Sequence, residues 1–298
     1  MGVATLALSP ARVWWSAVRP ATLAASVAPV LAGTAIAIHG GGARWWAGLA
    51  ALAVALAVQL GVNFANDYSD YARGADAVRV GPVRAASSGI VAPEHVKWAA
   101  IAAFAVAGVI GLIVSLAIDW RLLIVGAASL LAAWLYTGGP RPYGYLGLGE
   151  VFCFVFFGLV ATLGTVYVET SHVNALAVLM ACGLGFLSTA ILVLNNLRDI
   201  ETDAAAGKRT LATRIGRDRT RQLLLVLVCA AFAVPIVMFM TRLASVTVML
   251  MHFGIPIASF PVRTAFVSSS PPQLVQALKR MAAAELTYAL LFALGILL

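Results

Sequence analysis

Apolar runs recur along this chain at a length and spacing that few folds accommodate. Stretches near residues 20–38, 46–66, 97–118, 121–137, 149–168, 174–196, 222–240, 243–263 and 281–298 are each long enough to span as a helix. A bilayer core takes about 20 helical residues. Nine such stretches predict an all-α integral membrane protein with nine transmembrane helices around a central cavity, all in one domain over residues 1–298. The fourth stretch is short, and Pro256 and Pro261 are expected to kink the eighth. A soluble reading fails on composition: 62% of the 298 residues are hydrophobic and 11% charged, against about 25% charged in soluble domains. Met1–Pro10 is too weakly apolar to read as a signal peptide.

The net charge of +8 would suit nucleic acid, but the cations sit in short segments between apolar runs. That is the membrane-topology pattern, so membrane lipids are the expected surroundings and nucleic acid is not an expected partner. With nine spans, 17 of the 20 Lys and Arg fall on the side of the N-terminus. The positive-inside rule makes that side cytoplasmic, in a multi-pass protein of the cell membrane.

Acidic residues are scarce and clustered. Six of 12 (Asp67, Asp70, Asp76, Asp199, Glu201 and Asp203) lie in two places, each closing an apolar run. The first is Asn63-Phe64-Ala65-Asn66-Asp67-Tyr68-Ser69-Asp70, and the second is Asn195-Asn196-Leu197-Arg198-Asp199-Ile200-Glu201-Thr202-Asp203. On a helix, Asn63 and Asp67, Asn66 and Asp70, and Asp199 and Asp203 are i,i+4 pairs, so each set shares a face. Like charges so close repel, and oxygen-bearing side chains suit a divalent cation such as Mg²⁺. Asp67, Asp70, Asp76, Asp199 and Asp203 are the expected ligands, with Asn63 and Asn195 ligating or orienting without charge.

Asp and Arg at span ends often sit in interfacial water and do nothing more. Two copies of one spacing, on one predicted side of the membrane, weigh against that reading. Each opens a long polar loop, about 67–96 and 197–221, suited to capping a cavity. Arg73, Arg79, Arg84, Lys208 and Arg209 would face a diphosphate whose oxygens the metal bridges. The turn from Tyr136 to Glu150 holds Arg141, Tyr143 and Tyr145. It is either a helix–helix connection or an aromatic-acceptor site. The four His and three Cys show no metal spacing.

At the two Asp stretches the chain resembles the UbiA superfamily of intramembrane aromatic prenyltransferases, whose members carry an Asn-Asp-x-x-Asp motif after the second helix and an Asp-x-x-x-Asp motif after the sixth. Arg19–Leu23, Gly74-Ala75-Asp76, Gly81–Arg84, Gly138–Glu150 and Gly207–Leu211 narrow the resemblance to the branch that prenylates 1,4-dihydroxy-2-naphthoate. It implies Mg²⁺-dependent transfer from a polyprenyl diphosphate to that acceptor with loss of CO₂, giving a demethylmenaquinol for menaquinone biosynthesis. It also implies Asp67, Asp70, Asp199 and Asp203 on the metal, Asn66, Arg73, Lys208 and Arg209 on the diphosphate, and Arg84 or Arg141 on the acceptor's carboxylate. A homo-oligomer is compatible with it. The alternatives are another acceptor, such as 4-hydroxybenzoate, or a transporter.

Overall fold

The computed structural model describes residues 9–74, 83–140 and 142–298. Helices α1 (Pro10–Val18) and α2 (Pro20–His39) meet at Arg19, whose backbone is left-handed at φ 51°. Pro20 lacks an N–H, which suits the first turn of α2, and it pushes the preceding residue out of helical geometry. Then follow α3 (Trp45–Ala72), α4 (Pro93–Ile118), α5 (Leu122–Leu135) and a 3₁₀ turn, Tyr143–Leu146. One rod comprises α6 (Gly149–Cys153), a π-helical segment (Phe154–Val160) and α7 (Ala161–Thr170). Next come α8 (Ala175–Arg198), two short helices, α9 (Ile200–Ala205) and α10 (Leu211–Ile215), and α11 (Arg217–Met240). A 3₁₀ stretch (Val246–Gly254) leads into α12 (Ile255–Val267), and α13 (Pro271–Leu297) completes the bundle.

Among the described residues, eight helical segments are long and apolar enough to cross a membrane. The stretch expected at 121–137 is instead the 14-residue α5. At 1.5 Å per residue it is about 21 Å long, short of a hydrocarbon core of about 30 Å. The expected kink in the eighth stretch takes the form of the 3₁₀ run, with Pro256 in the first turn of α12 and Pro261 inside it.

Both polar segments differ from the loops expected. Helix α3 continues six residues past the predicted end at 66 and carries Asp67 and Asp70 within it, because both carboxylates find hydrogen-bond partners there. The second segment is largely helical rather than open loop, as α9 and α10 show.

The largest core cluster joins α2, α8, α11 and α13. Small residues make it: Ala25, Ala28, Ala32 and Ala35 form one buried stripe on α2, which packs on α13. Lipid tails are as apolar as Leu, so close packing of small residues, rather than burial alone, holds membrane helices together. Between α2, α3, α4, α5, the π segment and α8 lies a cavity of about 540 Å³ with mainly apolar walls. Its position sets up the site.

Candidate active site

The ends of α3 and α8 meet at one end of this cavity. Asp70 stands on the last turn of α3, and its carboxylate accepts from Arg84 Nη2 at 2.8 Å, Lys208 Nζ at 2.8 Å and Tyr145 Oη at 2.9 Å. Lys208 follows α9, and it also lies 3.9 Å from Asp203 Oδ1. One ammonium therefore joins Asp70 of the first motif to Asp203 of the second, 133 positions apart in the chain. The Asp70, Arg84 and Lys208 side chains are all at most 12% exposed. Charges so poorly hydrated persist only when paired. Burial, then the charge and hydrogen bond of Asp70, push the Tyr145 phenol well above its ordinary pKa, so it stays a donor.

The second motif does not lie on one unbroken helix. Asp199 (φ −93°, ψ 8°) separates α8 from α9. The i,i+4 relation survives in the backbone: Asp203 N donates to Asp199 O at 2.7 Å, and Asp199 N to Asn195 O at 3.2 Å. Arg198 Nε donates to Asp199 Oδ1 at 2.7 Å.

Together these residues line a polar cavity of about 80 Å³, to which Asn66, Asp70, Arg84, Asn195, Asp199, Asp203 and Lys208 of the expected set contribute. Arg19, Tyr136 and Asn196 line it too, and sequence reasoning did not assign them to the site. Arg19 sits at a conspicuous Arg-Pro break, and Asn196 beside Asn195, but nothing in the spacing said which way either would face. Arg19, Asn66, Tyr136 and Asn195 line both this cavity and the large apolar one. The two spaces adjoin across these four side chains: a charged mouth beside an apolar chamber.

Other expected residues stand elsewhere. Asp67 is buried and accepts the amides of Ala85 (2.9 Å) and Ala86 (3.2 Å), so it anchors the segment after residue 83 rather than lining the polar cavity. Asn63 donates to Val18 O (2.9 Å) and Thr22 Oγ1 (3.1 Å) and accepts from Gln59 Nε2 (3.0 Å). It braces α3 against the α1–α2 break. Arg73 donates to the carbonyls of Thr137 and Gly139 and lies over the Tyr145 ring at 5.3 Å, which ties it to the turn, and it does not line the polar cavity. The Tyr143 ring stacks on Phe152 at 4.0 Å in the wall of the apolar cavity. Arg209 is exposed and does not line the polar cavity. Asp76, Arg79 and Arg141 lie outside the described residues.

Removing the Asp67 carboxylate as Asp67→Ala is expected to leave two buried amides unsatisfied. That costs about 1–3 kcal/mol each. Hydrogen exchange across residues 83–91 reads it: protection should fall there first. Unchanged protection would remove the anchoring role.

The donors at the polar cavity are hard oxygens, the kind Mg²⁺ takes. Among the described residues no three acidic, His or Cys side chains gather at one point. Two carboxylates already share a cation, however, and Mg²⁺ is usually held by one or two carboxylates plus substrate phosphates and water. The residues present fit such an ion, with the Lys208 ammonium standing in for its charge.

A helical bundle with a charged mouth over an apolar chamber is the build of an integral-membrane enzyme that handles lipids with polar heads. The chain belongs to the UbiA prenyltransferase family, whose model matches residues 26–297. It is 50% identical over 210 residues to the 1,4-dihydroxy-2-naphthoate octaprenyltransferase of Mycobacterium tuberculosis, covering 70% of this chain and 72% of that one. To the Escherichia coli protein of the same name it is 33% identical over 305 residues, covering 98% and 97%. Among solved structures, a UbiA homolog from Archaeoglobus fulgidus bound to DMAPP and Mg²⁺ superposes with a TM-score of 0.65 at 16% identity, over 94% of this chain and 99% of that one. The apo UbiA homolog from Aeropyrum pernix gives 0.66 at 14%, over 96% and 98%. At those identities the two structures attest the fold.

Proposed function

We propose that this protein transfers a polyprenyl group from its diphosphate to 1,4-dihydroxy-2-naphthoate, with Mg²⁺, at the cytoplasmic face of the cell membrane. The observation that carries this reading is the meeting of Asp70 and Asp203 on Lys208 at the mouth of the apolar cavity. The names of the relatives supply the acceptor and the prenyl class. The 17-to-3 asymmetry of Lys and Arg supports the cytoplasmic side on the reading in which α5 joins the eight long segments as a ninth, short crossing.

Asp70, Asp199 and Asp203 would hold the metal, which supplies Lewis-acid neutralisation of the diphosphate when bound. Lys208 and Arg84, which pair with Asp70 at the mouth, would supply the positive charge for the phosphate oxygens. Asn66 and Asn195 add neutral donors: their oxygens accept from Thr137 Oγ1 and Arg198 Nη2, which leaves their NH₂ groups toward the cavity. The C–O bond to the prenyl carbon breaks and its electron pair leaves with the diphosphate. The ring carbon that bears the carboxylate forms the new C–C bond. CO₂ then departs, and the electron pair of its bond restores the aromatic ring. The apolar chamber lined by Phe152, Phe156 and Phe157 keeps water from the electrophilic carbon.

Purified protein given labelled farnesyl diphosphate is expected to prenylate dihydroxynaphthoate, release CO₂ in equal amount, and stop on EDTA addition. Product from 4-hydroxybenzoate alone would overturn the acceptor. Transfer that survives EDTA would overturn the metal.

A further inference from the structure

The polar cavity has three asparagines, and their oxygens are not equivalent. Asn66 Oδ1 takes Thr137 Oγ1 at 2.6 Å and Asn195 Oδ1 takes Arg198 Nη2 at 2.8 Å. Asn196 is turned the other way. Its Nδ2 donates to Glu150 Oε1 at 2.9 Å. A carboxylate oxygen accepts, so the NH₂ end must face Glu150, and the carbonyl end is the one left over. Asn196 is 6% exposed and lines the polar cavity, and its Oδ1 has no hydrogen-bond partner among the described residues. That oxygen is not sealed off in the protein interior but open to the polar cavity, where water or a ligand can meet it.

We propose that Asn196 Oδ1 is a neutral oxygen ligand for the divalent cation and that Glu150 is the positioning residue that aims it. The geometry favours a cation over a ring hydroxyl. Asn196 stands three residues before Asp199, on the same helical face, and Asp203 is tied to Asp199 through the backbone. A third oxygen beside two carboxylates completes a donor set of modest charge, the kind from which Mg²⁺ binds without excluding phosphate. Glu150 reaches Asn196 from α6, the start of the rod that walls the apolar chamber. Its second oxygen is buried without a hydrogen-bond partner among the described residues, so Asn196 is the only side chain it is seen to orient.

This inference rests on the metal reading of the proposed function, and direct Mn²⁺ binding to the detergent-solubilised protein separates the two. Free Mn²⁺ is followed by its paramagnetic resonance signal during titration, with no substrate added. Loss of a partner that orients a ligand typically costs about 10- to 100-fold in metal affinity. Asn196→Ala and Glu150→Leu are each expected to weaken Mn²⁺ binding by about tenfold or more. The double variant should be no weaker than Asn196→Ala, since both act on one oxygen. Glu150→Gln keeps an acceptor for Nδ2 and should bind Mn²⁺ within about twofold of the parent. Tight binding by Asn196→Ala overturns this inference alone. Glu150→Gln as weak as Glu150→Leu also overturns it, because the charge and not the aim would then matter. A parent protein that binds no Mn²⁺ overturns the metal reading, and this inference with it.

Discussion

Asp70→Asn is expected to cut prenyl transfer by about 100- to 1000-fold in protein that still purifies as a folded bundle. The reason is local charge. Arg84 and Lys208 both pair with Asp70 at 2.8 Å, in a place with little water. Asparagine is nearly the same shape but neutral, so it strands two poorly hydrated cations and removes a charge from the proposed metal ligand. Removing one partner of a buried ion pair costs about 3–5 kcal/mol of folding stability, and separately a loss of transfer of about 100- to 1000-fold corresponds to about 2.7–4.1 kcal/mol of lost transition-state stabilisation. The measurement is kcat/KM for labelled polyprenyl diphosphate, alongside thermal denaturation of the same sample. Turnover within tenfold of the parent would remove Asp70 from the centre of the mechanism. The loss should be concentrated in the diphosphate: affinity for dihydroxynaphthoate, read by quenching of its fluorescence, is expected to change little.

Gly158→Ala is the change expected to damage the fold most for its size. Gly158 lies in the π-helical segment, where its backbone approaches α8 more closely than any side chain permits. A Cβ at this position would stand 2.4 Å from Gly185 Cα and 2.8 Å from Ala181 O. Those are backbone atoms of a packed helix, and they cannot swing aside as a side-chain tip can. Overpacking of this kind costs about 1–3 kcal/mol, and here the whole rod must move away from α8. Phe156 and Phe157 sit on that segment and line the apolar chamber, so activity should fall with stability. Gly164 is the matched control. It lies on the continuing helix α7 with nothing within 4 Å of an added Cβ, and Gly164→Ala is expected to melt within a degree or two of the parent. Equal melting temperatures for the two variants would show that the glycine contact carries no weight.

The membrane class and the two acidic stretches were legible in the sequence because both rest on local, periodic chemistry. Apolar runs of helical length mark spans wherever they occur, and Asp residues four apart share a face on any helix. The pairing of the two motifs was also within reach, since the nine-span reading puts seventeen cations and both ends on one side. Individual roles were not. Asp67 and Asp70 sit three residues apart on the same helix, yet one anchors the amides of Ala85 and Ala86 while the other meets Arg84 and Lys208. A rotation of about 60° away from sharing one face separates them, and which one faces the cavity depends on where α4 and the Tyr136–Glu150 turn pack. Arg73 looked like a phosphate ligand by charge and position. Two carbonyls of that turn claimed it, which only the fold could bring within reach.

What the amino-acid order determined by itself was therefore the solvent of the fold, the helices, and the two places where charge is tolerated at their ends. Tertiary structure decided which oxygen and which cation at those ends face each other. The physical reason is range: helix formation and membrane partition are settled over about 20 neighbouring residues, whereas the contact between Asp70 and Lys208 spans 138 positions and exists only once the bundle has closed.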